Sequence, residues 1–132
     1  MSGQPYDKQD LRSFVAGYEA QFPERVLRIK REVALDYESI AVAFEFDKRG
    51  QSPLLIFENV KGSRFPVLMN LFSARDRFAA ALGVAPEALL SKWASIDAQP
   101  LRPQRVESGP VRDVVIEGSA VDLGYLPIMR NF

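Results

Sequence analysis

Apolar side chains recur with helical spacing soon after a polar start. Asp10 stands at an expected N-cap, and the residues behind it fall at i, i+3, i+4 and i+7: Leu11, Phe14, Val15 and Tyr18. Asp36 is a second predicted N-cap, and the same period continues through Tyr37, Ile40, Ala41 and Phe44. Two amphipathic helices are therefore predicted, the second closed by Gly50 at the C′ position, while the polar residues 1–9 predict a frayed end.

Between and beyond these helices the pattern changes to that of strands. Residues 26–33 alternate between apolar and charged side chains, which predicts a half-buried strand. Residues 53–60 include four consecutive apolar side chains, and so short a run predicts a strand that is buried on both faces. Residues 61–63 predict a turn and residues 65–72 a return strand, whose Pro66 favours an edge position because proline has no N–H to donate.

Two more helices are predicted before the composition changes. Ser73 is the expected cap of the third helix, with Asp76 completing a weak capping box, and Gly83 closes it. Pro86 suits the first turn of the fourth helix. The apolar faces are predicted to consist of Phe78, Ala81 and Leu82 in the third helix and of Leu89, Leu90 and Trp93 in the fourth.

The order of elements predicts an α+β fold, described more closely as a mixed α/β sandwich, with the order α-β-α-β-β-α-α followed by a linker and two short strands. We expect an N-terminal α/β domain over residues 1–97 and a Pro-rich linker over 98–110. Residues 111–132 are expected to hold the two strands. The predicted core consists of Leu11, Phe14, Tyr18, Ile29, Ile40, Phe44, Leu55, Phe57, Leu68, Phe78, Leu82, Leu89 and Trp93.

Composition excludes several classes of chemistry. The 132 residues include neither Cys nor His, which removes disulfides, thiolate zinc sites, Cys or His nucleophiles and His-based triads. A metal ion would have to bind carboxylates and carbonyls alone. The 17 basic and 17 acidic residues give zero net charge, which argues against a nucleic-acid or anionic-membrane binder. No apolar run approaches the roughly 20 residues that span a bilayer, so a cytoplasmic location is expected.

The charged residues offer three candidate groups, and each has a plainer interpretation. Lys61-Gly62-Ser63-Arg64 resembles a phosphate-binding loop but lacks the glycine spacing, so a turn is favoured. Three basic residues form a small patch on the first strand, and a solvated face paired with nearby acids is favoured: Arg28, Lys30 and Arg31. The carboxylates best suited to metal or acid–base work are Glu45, Asp47 and Glu58, which are favoured as surface groups. No catalytic, cofactor-binding or metal-binding residue is predicted.

Whole phrases of the chain resemble the N-terminal part of the UbiD family of decarboxylases. The phrases follow the family's order and spacing from Asp10 to Ile128: DLRSF at 10–14, LRIKREV at 27–33, LIFENVKG at 55–62, FPV at 65–67, NLFS at 70–73, residues 75–83, VDL at 121–123 and LPI at 126–128. The chain departs from the family's usual pattern at residues 22–25, before the first strand, and after residue 128, where the family continues toward a His-containing, Gly-rich stretch.

The resemblance implies a carboxy-lyase that reversibly decarboxylates aromatic or α,β-unsaturated acids with prenylated FMN. It also implies a divalent metal ion and potassium for the full-length family, whose chains are three to four times as long. The ligands of these groups and the family's Glu-Arg-Glu proton-handling group lie downstream of the residues present here. We therefore expect the chain to bind no cofactor and to be inactive alone, with residues 111–132 leading toward an absent flavin-binding split barrel.

Two kinds of partner are expected under this resemblance. One is the remainder of a UbiD-type chain, of which these residues would form the N-terminal domain or a fragment. The alternative is a non-catalytic small subunit or regulatory module that docks on a separate catalytic subunit of a multi-subunit carboxylase. If the chain is a fragment, the apolar residues of 111–132 are expected to be mobile or to pair with another copy of the chain, because exposed strand edges and apolar side chains favour association.

Overall fold

Four helices and three strands are formed in a computed structural model that describes residues 10–98, 102–103 and 105–131. The helices are α1 (Leu11–Gln21), α2 (Glu38–Asp47), α3 (Arg75–Ala81) and α4 (Leu89–Ala98), and the strands are β1 (Val26–Ile29), β2 (Leu54–Phe57) and β3 (Val67–Met69). This order confirms the α+β prediction. The expectations for residues 1–9, for part of the linker and for Phe132 lie outside the described residues.

The three strands form one mixed sheet in the order β1-β2-β3. β1 runs parallel to β2, with Val26 opposite Leu54, and β2 runs antiparallel to β3, with Leu55 opposite Met69. The predicted turn between β2 and β3 is confirmed: Gly62 has a φ of +75°, and the Ser63 N–H donates to the Val60 carbonyl over 3.0 Å. β3 lies at the edge of the sheet, which is the position that Pro66, the residue before it, favours.

Helices cover both faces of the sheet, which explains the unbroken apolar run of β2. Leu54 and Ile56 pack against Phe14, Val15 and Tyr18 of α1. The alternate residues of β2 pack on the opposite face, against the side of α2, in a cluster of Val33, Ala43, Leu55, Phe57 and Val60. All four residues of β2 are buried, so the prediction of a two-sided strand is confirmed.

The predicted inner face of α2 is only partly right, because Ile40 packs against the core cluster of Phe57 as predicted but Phe44 does not. Tyr37, rather than Asp36, precedes the helix, with a left-handed φ of 60°, and no side chain caps this end. Phe44 is 52% exposed, whereas Ser39 and Ala43 are buried. Ser39 and Ala43 lie one turn apart on the face that packs against the sheet, and this orientation of the helix leaves Phe44 on the solvent side.

The predictions for four other residues are corrected by the structure. Leu11 and Trp93 are each more than half exposed and therefore do not belong to the core. Leu90 is also exposed, because α4 contacts the body through Leu89 instead. Ser73 does not cap α3: its hydroxyl donates to the Asn70 carbonyl and accepts from Arg77, while Ala74 occupies the cap position.

The two strands predicted beyond the linker are not found among residues 105–131, a segment we call the tail. It forms three short 3₁₀ turns, at Pro110–Arg112, Gly118–Ala120 and Leu123–Tyr125. Strand structure needs a neighbouring strand to satisfy its backbone groups, and residues 111–121 have no such neighbour among the described residues. Near its end the tail rejoins the body, where Arg130 bridges to Asp36.

Replacing Asp10 with alanine is expected to lower the free energy of unfolding by about 1 kcal/mol, the usual effect of losing an N-cap. The Asp10 carboxylate accepts hydrogen bonds from the Ser13 N–H and from the Ser13 hydroxyl, each 2.9 Å long. Urea denaturation measures the change. Asp47→Ala is the control. Asp47 is the last residue of α2, where a negative charge interacts unfavourably with the helix dipole, so its removal should not lower the free energy of unfolding. Equal losses in the two variants would contradict the assigned cap.

Candidate functional site

Arg28 is the one residue of the predicted basic patch that lies within β1, and it pairs with two glutamates. Arg28 forms a bidentate pair with Glu19, at 2.7 Å from Nε to Oε1 and 2.6 Å from Nη2 to Oε2. Its Nη1 donates to Glu58 over 2.7 Å. The hydrogen bonds from Arg28 lower the pKa of Glu19, and those to Glu19 and Glu58 raise the pKa of Arg28. Arg28 thus ties α1 to the ends of β1 and β2, as the solvated-face interpretation predicted.

Arg31 is engaged in a similar way at the entry to α2. Its guanidinium pairs with Glu38, whose second carboxylate oxygen accepts the Ala34 N–H over 2.7 Å. The Ala34 hydrogen bond, and after it the Arg31 hydrogen bond, lower the pKa of Glu38. Two of the three residues of the patch therefore serve to hold local structure together.

We expect the folded chain to lose stability as the pH falls below the ordinary glutamate pKa of 4.5, because the folded-state pKa of Glu38 is lowered. A group of this kind favours the folded state above its unfolded pKa, and the benefit disappears as the pH falls through its folded pKa. Glu38→Gln should flatten this acid-side decline. Urea midpoints measured from pH 7 down to pH 3 test it, and parallel curves for the two proteins would contradict it.

The predicted carboxylates are not brought together. Glu45 pairs with Lys48 on the surface of α2 at 2.6 Å, and Lys48 lowers the pKa of Glu45. Asp47 ends the same helix, and Glu58 belongs to the Arg28 network. Within the described ranges no group of three carboxylates is arranged to hold a metal ion.

At the turn of residues 61–64, two N–H groups of the turn and the N–H that follows it donate to acceptors in the protein. The Lys61 N–H donates to the Val33 carbonyl over 2.9 Å, the Ser63 N–H to Val60, and the Phe65 N–H to the Ser63 hydroxyl over 3.0 Å. The Arg64 guanidinium lies over the rings of Phe65 and Tyr125, at 5.1 and 4.8 Å from their centroids. A phosphate cradle needs several free N–H groups, so the turn interpretation holds.

A buried arginine organises the start of α3. Arg77 is 1% exposed, and its Nε donates to the Leu71 carbonyl over 2.8 Å. Its Nη2 donates to the carbonyls of Ser52 and Asn70 and to the Ser73 hydroxyl, at 2.9, 2.6 and 3.1 Å. Sequence reasoning missed this residue. The sequence did contain an indication of its burial, because Arg77 lies one turn before Ala81, on the helical face that periodicity places inward.

An apolar surface remains open beside α4. Four side chains, which we call the α4 patch, are exposed by between 42% and 68%: Phe72, Leu90, Trp93 and Ile96. Phe78 connects two of them, with ring centroids 5.3 Å from Phe72 and 5.6 Å from Trp93. Clustered exposed aromatic side chains of this kind are typical of docking surfaces.

The tail is attached to the body near its end but exposes apolar side chains along its length. The Phe65 and Tyr125 rings meet edge-on with centroids 5.3 Å apart. The Arg130 N–H donates to the Leu35 carbonyl over 2.9 Å, and its carbonyl accepts the Tyr37 N–H over 2.8 Å. Between residue 105 and this attachment, apolar side chains are 52–88% exposed: Val106, Val111, Val114, Val115, Ile116, Val121 and Leu123.

The described residues form a small α+β domain in which several charged groups pair with one another and two apolar surfaces, the α4 patch and the tail, are exposed. A family model for the "3-octaprenyl-4-hydroxybenzoate carboxy-lyase N-terminal domain" matches residues 21–96. The chain belongs to this family, known as UbiD, which confirms the resemblance read from the sequence. None of the helices among the described residues is long and apolar enough to cross a membrane.

Two solved structures of the UbiD-class enzyme HmfF from Pelotomaculum thermopropionicum are similar to this chain. The enzyme in complex with FMN is 30% identical and superposes with a TM-score of 0.78 over 92% of this chain. An evolved dimeric form in complex with prFMN is also 30% identical, with a TM-score of 0.81 over 95% of this chain. This chain spans only 27% and 29% of those enzyme chains.

Proposed function

We propose that this chain is the N-terminal domain of a cytoplasmic UbiD-type carboxy-lyase acting on aromatic or α,β-unsaturated carboxylic acids. In this proposal the rest of the enzyme holds prenylated FMN with its metal ions, and this chain contributes no catalytic residue. One observation carries the proposal: nearly all of this chain matches little more than a quarter of a flavin-bound enzyme chain. Residues 1–97 would form the domain, 98–110 its linker, and 111–132 the approach to the flavin-binding part.

The described residues do not fit a flavin site, which supports placing the cofactor elsewhere. At the turn, the N–H groups of Lys61, Ser63 and Phe65 already donate to acceptors in the protein, and Arg64 is stacked on two aromatic rings. Arg28, which belongs to the predicted basic patch, is already paired with two glutamates. We therefore assign no step of the reaction to residues of this chain. When bound, prenylated FMN would supply the electron sink for decarboxylation.

The role that remains for this domain is to cover and position the flavin-bearing part. The α4 patch and the exposed valines of the tail are the surfaces best suited to this contact, because they are apolar and lack cover within the described residues. Burying one such side chain is worth about 1.5–3 kcal/mol, so a few of them suffice to fix a neighbouring domain.

The proposal is tested by titrating FMN and prenylated FMN into the 132-residue chain while following the absorption and fluorescence of the cofactor. No stoichiometric complex is expected at micromolar cofactor concentrations. Binding of one cofactor per chain at micromolar affinity would overturn the assignment of the flavin site to the rest of the enzyme. HmfF, whose structures hold FMN and prFMN, is the positive control.

We expect the chain, when alone, to self-associate through its tail in a concentration-dependent way. A variant that replaces Val111, Val114 and Val115 with serine removes three side chains that are 66–88% exposed, and it should be monomeric. Sedimentation velocity over a range of concentrations distinguishes the two. Leu11→Ser, at an exposed apolar position outside the tail, should associate like the parent. A monomeric parent chain would contradict the expectation and favour a self-sufficient small subunit.

A further inference from the structure

The last part of the tail lies against the body in the manner of a strand. Pro127, Met129 and Asn131 are half-buried, whereas Ile128 and Arg130 between them are exposed. A period of two is typical of an extended segment that has one face covered. Residues 110–126, in contrast, are exposed without exception. The docked part of the tail is therefore short, and we call residues 125–131 the strap.

Two backbone hydrogen bonds fix the register of the strap on the segment that precedes α2. The Arg130 N–H donates to the Leu35 carbonyl over 2.9 Å, and the Arg130 carbonyl accepts the Tyr37 N–H over 2.8 Å. Arg130 thus forms a parallel bridge with Asp36, whose carboxylate lies 3.4 Å from the Arg130 Nε. An extended peptide adds to an exposed backbone edge through bonds of this kind.

Side chains anchor the strap at both of its ends. Met129 packs against the buried cluster on the α2 face of the sheet, which includes Phe57. At the other end, the Tyr125 ring meets the Phe65 ring edge-on and lies under the Arg64 guanidinium. The strap therefore contributes to the same core that holds α2 on the sheet.

The residue that receives the strap has a strained backbone. Tyr37 has a φ of 60°, and the Glu38 N–H donates to the Asp36 carbonyl over 2.7 Å, so the chain turns sharply at Tyr37. A side chain with a Cβ disfavours this left-handed conformation, which persists only where the surroundings hold it. The strap accepts the Tyr37 N–H, and α2 begins at the next residue. The strap is therefore placed to hold the turn from which α2 starts.

We propose that residues 125–131 are an intramolecular strap that docks on the backbone edge of residues 35–37 and holds Tyr37 in the left-handed conformation at the start of α2. Opening of the strap then releases Tyr37 and the first turn of α2 together. The exposed residues 105–124 form an arm that the strap holds at its far end, rather than a free tail. This proposal does not depend on the reaction proposed above.

The strap is tested by amide hydrogen exchange, followed by NMR on the 132-residue chain at two protein concentrations. The Tyr37 and Arg130 amides are expected to exchange much more slowly than the amides of residues 114–116. Met129→Ser should speed the exchange of both protected amides by about tenfold, because it removes a side chain that is buried only while the strap is docked. Ile128→Ser is the matched control: the Ile128 side chain is 66% exposed, so the exchange rates should stay as in the parent.

A second pair of variants tests the strain at Tyr37. Glycine adopts a positive φ readily, whereas alanine keeps the Cβ that opposes it. Tyr37→Gly and Tyr37→Ala both remove the ring, which is 49% exposed. The Arg130 amide is expected to exchange several-fold more slowly in the glycine variant than in the alanine variant, because the docked strap requires the left-handed conformation.

Four results would overturn the proposal. The first is exchange of the Tyr37 and Arg130 amides as fast as that of residues 114–116. The second is an equal effect of Met129→Ser and Ile128→Ser on these two amides. The third is exchange of the Arg130 amide that is no slower in Tyr37→Gly than in Tyr37→Ala. The fourth is protection that rises with protein concentration, which would show that the strap docks on a second copy of the chain.

Discussion

Replacing Phe57 with alanine is expected to lower the free energy of unfolding by about 3–5 kcal/mol, which is a large share of the stability of a small domain. Phe57 is 0% exposed and belongs to the buried cluster between β2 and α2, which solvent does not reach. Removing the ring loses the free energy gained by burying it away from water. It also leaves an empty cavity beside β2, whose two faces are both packed. Urea denaturation followed by circular dichroism measures the difference.

Phe44→Ala is the matched control for this experiment. Phe44 lies on α2, the helix that packs beside Phe57, but it is 52% exposed. The sequence pattern places both rings in the core, whereas the structure places only Phe57 there. We expect the control to lose less than about 1 kcal/mol, as is usual for surface positions. Equal losses in the two variants would show that α2 packs with the face that periodicity predicts.

Replacing Arg77 with methionine is expected to destabilise the chain by at least about 3 kcal/mol, because several buried carbonyls lose their donors at once and each unsatisfied group costs about 1–3 kcal/mol. The guanidinium connects Ser52 before β2 with Asn70 and Leu71 after β3. Methionine retains much of the side-chain length, so the loss reports on the hydrogen bonds more than on volume.

Arg75→Met, two residues earlier in the same helix, controls for the loss of an arginine from α3. Arg75 is exposed and makes a single 3.3 Å hydrogen bond to the Pro86 carbonyl. We expect it to change the free energy of unfolding by less than about 1 kcal/mol. Chemical denaturation of both variants and the parent gives the comparison. If Arg77→Met were as stable as Arg75→Met, the stabilising role assigned to the Arg77 hydrogen bonds would be contradicted.

The local sequence pattern predicted the helices, strands and turns well where only one local structure could satisfy it. The four apolar residues of β2 can be buried only if both faces of the strand are covered, and helices do cover both faces. Gly62 adopts a positive φ in the turn that its neighbours predicted. The cap at Asp10 also follows from local chemistry alone, since donor and acceptor lie three residues apart.

Errors arose where distant contacts decided the outcome. α2 turns Ser39 and Ala43 inward and Phe44 outward, and this choice is made by tertiary packing that sequence periodicity does not report. The burial of Arg77 depends on carbonyls at Ser52 and Leu71 that only the tertiary fold brings near. The tail was predicted to contain strands from its valines and isoleucine, but β propensity requires a partner strand to have effect.

For the candidate site, the sequence could predict the kind of interaction but not the residues that make it. The pairing of Arg28 and Arg31 with nearby acids was predictable in kind, because exposed charges on a strand find opposite charges. The identity of their partners was not, since Glu58 lies 30 residues from Arg28. Family membership was visible only in whole phrases of sequence, and no single charged residue indicated it.

The most direct test of the central claim is carbon dioxide release by a chimera in which this chain replaces the matching N-terminal region of HmfF. With prenylated FMN bound, the chimera is expected to release carbon dioxide from any aromatic or α,β-unsaturated acid that supports release by intact HmfF in the same assay, while this chain alone and HmfF without that region are expected to be inactive. Two results would contradict the account: carbon dioxide release by this chain alone, or a folded chimera that binds prenylated FMN yet releases no more carbon dioxide than the shortened HmfF.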